Sequence, residues 1–189
     1  MKKLFFMAMA LIMSLGASAQ LISSNTVTYH KEKGPNYNRL GVSYNSLKGE
    51  GGGDAVSGVS LSWTKGISVS SSMPLFIETG LGATYGFDGI SGMIATIPLN
   101  VTYKLPVTDN IKIAPLAGIT LNGNIFASDI DADLNVVTVG WQVGANIEFG
   151  RFYVGVSYGS GFMDYIKGDG EYYDGSKLNN LAATIGVVF

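Results

Sequence analysis

Apolar residues alternate with small or polar ones along most of the chain, and the pattern is cleanest in its C-terminal half. Every second residue of Val137–Phe149 is apolar, and the alternation restarts after Gly150-Arg151. A period of two is typical of a β-strand, and a two-residue link that begins with glycine predicts a type II′ hairpin. Pairing Phe149 with Phe152 keeps the apolar residues of both strands on one face.

The same alternation recurs and predicts eight strands, at residues 39–45, 58–69, 75–87, 93–105, 111–122, 137–149, 152–158 and 178–189. The links near residues 72, 108 and 150 are tight, and those near 52, 131 and 169 are longer. An even number of strands with links that alternate in this way predicts an all-β, eight-stranded antiparallel up-and-down transmembrane β-barrel. Pro98 and Pro115 fall inside strands and remove ladder donors, so we expect a bulge at each.

The two faces of the pattern carry different residue types, as expected for a barrel that lies in lipid. The apolar face carries the large side chains, including Trp141, Phe149 and Tyr158, whereas the other face is mostly Gly, Ser, Thr, Asn and Ala. A soluble barrel would present Lys and Glu to water, yet charged residues make up only 14% of the chain. Small polar residues suit a narrow lumen and large apolar ones suit lipid. A soluble barrel with its apolar face inside is the alternative.

The first 19 residues have the three parts of a secretory signal peptide. Met1-Lys2-Lys3 is basic, residues 4–15 are apolar, and Ala17-x-Ala19 predicts cleavage before Gln20. We expect residues 20–38 to form a periplasmic lead-in and residues 39–189 to form the barrel. Without Lys2 and Lys3, 10 basic residues face 14 acidic ones, which argues against nucleic acid as a partner.

The C-terminal strand completes a resemblance to a known family. The signal, the eight alternating strands and the ending Leu181-Ala-Ala-Thr-Ile-Gly-Val-Val-Phe189 together resemble small outer-membrane β-barrels. The chain is similar to the OmpX and OmpA transmembrane-domain type and to related β-barrel proteins of Bacteroidetes. The resemblance implies a monomer in the bacterial outer membrane, in contact with lipid and lipopolysaccharide. It also implies that the assembly machinery reads Phe189 as a sorting signal.

Charged residues with inward parity gather toward the tight-turn end of the predicted barrel. A charge in a narrow lumen needs a partner, because desolvation costs several kcal/mol per ion. Hairpin pairing places Lys112 near Glu148 and Lys104 near Glu78. The cluster is either a structural plug or, as the resemblance to OmpA-like barrels implies, a gate that re-pairs to open a narrow ion path. Its members are Arg39, Glu78, Lys104, Lys112 and Glu148.

The predicted external loops are acidic and contain aromatic residues. Asp129-x-Asp131-x-Asp133 resembles the start of a calcium loop but lacks the glycine and distal glutamate of an EF-hand, so we expect a solvated loop and no bound metal. Glu171, Tyr172 and Tyr173 mix charge with aromatic surface. We expect these two loops to make external contacts, with a surface ligand that the residues do not identify.

Three classes of function remain after these observations. The first is a structural or surface-interaction barrel that acts through its external loops, and the second is a narrow gated channel for ions or small solutes. The third is an enzyme, which we do not expect, because the one histidine is His30 in the lead-in and the chain has no cysteine. No cofactor is expected either.

Overall fold

The computed structural model describes residues 36–50, 54–70, 72–87, 92–127, 135–165 and 177–189. These residues form eight long β-strands and one strand of two residues. The strands are β1 (Tyr37–Gly49), β2 (Val56–Ser68), β3 (Leu75–Gly86), β4 (Gly92–Tyr103), β5 (Leu105–Pro106), β6 (Ile111–Ala127), β7 (Val137–Phe149), β8 (Phe152–Gly161) and β9 (Leu178–Val188).

Each long strand pairs antiparallel with its neighbours in sequence, and two further pairings close the sheet into a barrel. β1 pairs with β9, and β4 pairs directly with β6, the next long strand in sequence. Closure gives every long strand a partner on both sides, so no sheet edge is exposed. The predicted all-β, eight-stranded antiparallel barrel is therefore confirmed. Within the described ranges, no helix is long and apolar enough to cross a membrane.

The strands extend beyond the limits that the apolar alternation predicted. β1 begins at Tyr37, inside the segment predicted as lead-in, because Tyr37 pairs with Gly66 of β2. β6 continues to Ala127, five residues past the predicted end at Asn122, because its pairing with β4 continues past the last apolar alternation. The hydrophobic pattern marks the part of a strand that lies between the apolar outer surface and the lumen, whereas backbone pairing continues beyond it.

The prediction of a bulge at each proline is wrong. Pro98 pairs in register with Thr120, and Pro115 pairs in register with Ala145. The register shift in the β4–β6 ladder lies instead between Met93 and Ile94. Each proline does interrupt one ladder, because it has no N–H to donate. The β3–β4 ladder has a gap at Pro98. The ladder on the other side of β6 has a gap at Pro115, between the end of β4 and the start of β5.

The barrel has two dissimilar ends. The tight-turn end holds the links 69–74, 107–110 and 150–151, together with the start of β1 and the end of β9. At the loop end lie the strand ends that flank the longer links, namely Gly49, Val56, Gly86, Gly92, Ala127, Val137, Gly161 and Leu178. The two-residue hairpin at Gly150 has the predicted register, with Phe149 opposite Phe152. Gly150 has a φ of 60°, as the first residue of a II′ or I′ turn requires.

The two faces of the sheet have the inside-out distribution that the sequence predicts. Large apolar side chains are exposed around the outside of the barrel, and the soluble alternative is therefore wrong. Most of the side chains that are fully buried are polar or charged, among them Glu78, Asn45, Thr102 and Ser68. The exposed belt includes Leu40, Val42, Leu61, Trp63, Leu81, Tyr85, Ile97, Val156 and Ile185.

Two glycines of β6 differ in how closely the neighbouring strand packs against them. A Cβ on Gly118 would lie 2.1 Å from the backbone oxygen of Leu99, whereas a Cβ on Gly123 would meet nothing within 4 Å. Since overpacking costs about 1–3 kcal/mol, Gly118→Ala should lower the free energy of unfolding by about that amount. Gly123→Ala should change it by less than about 0.5 kcal/mol. Urea unfolding in lipid vesicles measures both, and equal effects would contradict the packing described here.

Candidate functional site: a charged plug in the lumen

The charged residues of the lumen are arranged around Tyr37, the first residue of β1. The pairing places Tyr37, Gly66 and Glu78 side by side on three successive strands. Gly66 has no side chain, and the ring of Tyr37 lies over it, where a Cβ would be 2.2 Å from the ring. The tyrosine therefore reaches across β2, and its hydroxyl donates a hydrogen bond to the carboxylate of Glu78.

A second tyrosine crosses a glycine in the same way on the other side of β1. Tyr153 lies opposite Gly186, which in turn lies opposite Gly41. The Tyr153 hydroxyl occupies the space where a Cβ of Gly41 would lie. The two tyrosine rings flank the guanidinium of Arg39, whose Cζ is 5.7 Å from the centroid of Tyr37 and 5.3 Å from that of Tyr153.

Two buried ion pairs cross the lumen. Arg39 donates from Nη2 to Glu78, and Lys104 Nζ lies 2.7 Å and 3.1 Å from the two carboxylate oxygens of Glu148. The same ammonium group lies 3.3 Å from the centre of the Tyr37 ring, a close cation–π contact. The ring of Phe76 packs edge to face against the ring of Tyr37, with centroids 5.0 Å apart.

We call this group the charged plug: Tyr37, Arg39, Phe76, Glu78, Lys104, Glu148 and Tyr153. Its four charged residues are at most 7% exposed, and two cations balance two anions. Desolvation of four charges is compensated only when each one has a close partner. These residues therefore form a network at the tight-turn end of the lumen in which the charges cancel and each ion depends on its partner.

The predicted ion-pair partners are wrong, although four of the five predicted charges meet. Lys112 is directly opposite Glu148 in the β6–β7 ladder, yet Lys104 is the residue that binds Glu148. Lys112 is exposed and forms no ion pair within the described part of the chain. Hairpin register identifies neighbours on adjacent strands, whereas Lys104 and Arg39 reach residues on strands that are not adjacent to their own.

The sequence prediction did not include Tyr37 and Tyr153 among the site residues. Tyr37 fell in the predicted lead-in, and Tyr153 was placed only on the inward face. A signal for Tyr153 exists in the sequence, because an inward tyrosine that pairs with a glycine has room to lie across the neighbouring strand. Finding it requires the β8–β9 and β1–β9 registers, which link strands far apart in sequence.

Beyond the plug, the lumen is lined by neutral hydrogen-bonding side chains. Asn180 donates to Asn45 (3.1 Å), which donates to Ser60 (2.8 Å). Gln142 donates to Asn100 (2.7 Å). Two cavities of about 160 Å³ and 90 Å³ lie among these residues, the larger beside Arg39 and the smaller toward the loop end. The lumen thus changes from charged to uncharged along its axis.

At the loop end, Asn135 joins two of the links. Its N–H donates to the carbonyl of Tyr165 (3.0 Å), its side chain donates to the carbonyl of Asp164 (2.7 Å), and its own carbonyl accepts from Asn124 (2.5 Å). Burial raises the pKa of Tyr165. The predicted contact residues Asp129, Asp131, Asp133, Glu171, Tyr172 and Tyr173 lie outside the described residues. No group of metal ligands occurs within the described ranges.

Phe189, the predicted assembly signal, is placed at the seam that closes the barrel. Its backbone exchanges two hydrogen bonds with Asn38, of 2.6 Å and 2.9 Å, and its side chain is exposed on the outer surface. Hydrogen bonding between β1 and the C-terminal segment therefore extends one residue past β9, to Phe189. Its role as a sorting signal stays a prediction.

The closed antiparallel barrel of eight long strands is similar in fold to solved outer-membrane proteins. The outer-membrane enzyme PagL has a TM-score of 0.58 and 15% identity, over 79% of this chain and 98% of that one. Neisserial surface protein A (NspA) has a TM-score of 0.57 and 12% identity, over 82% of this chain and 97% of that one. No family model and no curated protein matches the sequence.

These similarities confirm the predicted resemblance at the level of fold. At 12–15% identity they bring no activity to this chain, even though PagL is named as an enzyme. The described residues include no histidine, since His30 lies outside them. That the chain is not an enzyme stays a prediction, as does the relation to proteins of Bacteroidetes.

The chain offers a buried and an exposed ion pair for comparison. Glu78→Ala should leave Arg39 buried without its partner and lower the free energy of unfolding by about 3–5 kcal/mol. Glu50, whose carboxylate lies 3.9 Å from Lys177 Nζ at the exposed loop end, is the control. Glu50→Ala should cost less than about 1 kcal/mol. Urea unfolding in detergent micelles measures both variants, and a small effect of Glu78→Ala would show that the buried ion pair does not stabilise the barrel.

Proposed function

We propose that the protein is a monomeric integral barrel of the bacterial outer membrane, with a structural or surface-interaction role carried by its loop end. The observation that carries the proposal is the combination of an exposed apolar belt with a plugged lumen. The belt suits lipid, and a barrel that spans lipid satisfies its backbone groups without a helix. A closed lumen leaves the loop end as the surface where partners can bind.

The asymmetry of the links supports one orientation in the membrane. Outer-membrane barrels have short periplasmic turns and longer external loops. We therefore assign the tight-turn end, with Phe189 and the charged plug, to the periplasm, and the loop end to the cell surface. In this orientation Phe189 is available to the assembly machinery from the periplasm, and the external loops contact lipopolysaccharide or a surface ligand.

A conductance measurement tests the closed lumen. The mature protein is refolded into a planar bilayer after its insertion is checked by the shift in gel mobility between heated and unheated samples. Because the charges of the plug cancel and its ionised residues are buried, we expect the wild type to give no discrete current steps. Glu50→Ala removes a carboxylate at the loop end and should also give no current steps. Regular steps from the wild type would contradict a closed plug.

The alternative function is a narrow gated channel, and the position of Lys112 favours it specifically. Lys112 is exposed, unpaired within the described residues, and directly opposite Glu148 in the ladder. Glu148 therefore has a second cation within one strand spacing, to which it turns if Lys104 is released. If discrete steps are seen, Glu148→Ala and Lys112→Ala should both change their size or frequency, and unchanged steps would exclude this gate.

The role of the external loops is tested by replacing their side chains while leaving the barrel intact. Six substitutions to Ser are combined at Asp129, Asp131, Asp133, Glu171, Tyr172 and Tyr173. Cells that produce the wild-type protein should adhere to cultured host cells more than cells that produce the variant. Equal adhesion at equal amounts of heat-modifiable protein would leave only the structural role.

A further inference from the structure

Three polar side chains lie side by side on the outer surface of β1, β2 and β3, toward the tight-turn end. Lys65 of β2 pairs with Asn38 of β1 on one side and with Thr79 of β3 on the other. Asn38 and Thr79 face outward, because their sequence neighbours Arg39 and Glu78 are buried in the lumen. Residues directly opposite in an antiparallel ladder have their Cβ atoms about 5 Å apart. We call Asn38, Lys65 and Thr79 the polar ledge.

The polar ledge interrupts the exposed apolar belt and has apolar side chains on both of its sides. Toward the middle of the barrel, the next outward residues are Trp63 and its two ladder partners, Leu40 and Leu81. Toward the tight-turn end, the next ones are Ile67 and Ile77, which also pair. All five are exposed. The polar ledge therefore lies within the apolar surface and not at its margin.

Lys65 has no counter-charge on this surface. The side chain is exposed and forms no ion pair within the described part of the chain. Carboxylates occur in the described strands only at Glu78 and Glu148, which are at most 4% exposed and bind Arg39 and Lys104 inside the lumen. A lysine on the lipid face of a barrel is more destabilising the deeper it lies, so an anion supplied by the membrane would stabilise this one.

We propose that the polar ledge binds the phosphate group of an anionic glycerophospholipid. The ammonium group of Lys65, the amide of Asn38 and the hydroxyl of Thr79 supply hydrogen-bond donors. A phosphate supplies the acceptors and the missing negative charge. The acyl chains of the same lipid lie over Trp63 and its apolar neighbours, which adjoin the ledge on the side toward the middle of the barrel.

The orientation proposed above decides which layer of the membrane supplies the lipid. With the tight-turn end in the periplasm, the polar ledge faces the periplasmic leaflet. The inference therefore rests on the proposed location in the outer membrane, and it adds a partner that does not depend on the external loops. A lysine that only extends along the surface to reach water or any headgroup would not need Asn38 or Thr79.

The two tryptophans of the chain provide a reporter beside the polar ledge and a control away from it. Trp63 is the outward residue of β2 next to Lys65. Trp141 lies on β7, four strands away from β2 in either direction around the barrel. Its ladder partners, Ile119 and Ser160, carry no charge. Trp141→Phe leaves Trp63 as the reporter, and Trp63→Phe leaves Trp141 as the control.

The experiment measures quenching of tryptophan fluorescence in phosphatidylcholine vesicles that contain a small fraction of lipid with brominated acyl chains. Quenching reports which lipid occupies the surface next to the tryptophan. We expect brominated phosphatidylglycerol to be enriched about fivefold over brominated phosphatidylcholine beside Trp63, the factor expected of one lysine that faces anionic lipid. We expect no enrichment beside Trp141.

Variants of the polar ledge separate a site from a bare charge. Lys65→Gln should abolish the enrichment beside Trp63, and Lys65→Arg should keep it, because arginine retains the positive charge. Thr79→Val keeps the shape of the side chain but removes the hydroxyl, and should reduce the enrichment. Lys112→Gln is the matched control, since it removes an exposed lysine at the same end that lies opposite the inward-facing Glu148. Insertion of each variant is checked by the heat-dependent gel shift.

Equal quenching by the two brominated lipids beside Trp63 would overturn the proposal, as would enrichment that persists in Lys65→Gln or that is the same beside Trp141. Enrichment that Thr79→Val leaves unchanged would also overturn it, by showing a lysine that attracts anionic lipid without a site. If Lys65→Gln does not insert, the contrast between Trp63 and Trp141 decides the result. Failure of the wild type to insert into vesicles would instead contradict the proposed function, so the two failures are distinguishable.

Discussion

The structure depends on one constraint, which is that a sheet in lipid must pair all of its backbone hydrogen-bonding groups. β1–β9 and β4–β6 pairing satisfies it by closing the sheet. Once the barrel is closed, each strand residue faces either lipid or a narrow lumen, and size decides which residues fit. The glycine, serine and threonine content of the inward face follows from this choice, as does the exposure of residues such as Leu61 and Ile185. Proline is accepted at positions 98 and 115 because each interrupts only one of its two ladders.

The charged plug follows from the same shortage of space. Two glycines opposite inward tyrosines let the rings lie flat across neighbouring strands. The rings then surround Arg39 and contact Lys104, which fixes both cations beside their carboxylates. Packing and electrostatics are therefore inseparable here, because the aromatic groups that fill the lumen also exclude water from the ion pairs. A glycine-to-alanine change at position 66 would displace Tyr37 and so disturb both ion pairs without touching a charge.

The alternation in the sequence predicts only those features that depend on residues close together in the chain. Period-two alternation predicts the fold, the inside-out faces and the register of the Gly150 hairpin, because each depends on residues close in sequence. It also predicts that Arg39, Glu78, Lys104 and Glu148 point inward. It does not predict that Lys104 binds Glu148, because that contact crosses the lumen between strands that are not neighbours. Strand tilt in a closed barrel determines which residues share a level, and alternation contains no information about tilt.

The two ends of the lumen differ in the kind of polar side chains that line them. At the tight-turn end, both carboxylates are engaged by cations and Tyr37 is bound to Glu78, so most of the strong groups are already used. Toward the loop end, the groups are neutral: Asn180 donates to Asn45, Asn45 donates to Ser60, and Gln142 donates to Asn100. The charged plug thus gathers the ionised groups at one end of the lumen and leaves neutral hydrogen-bonding side chains to line the rest.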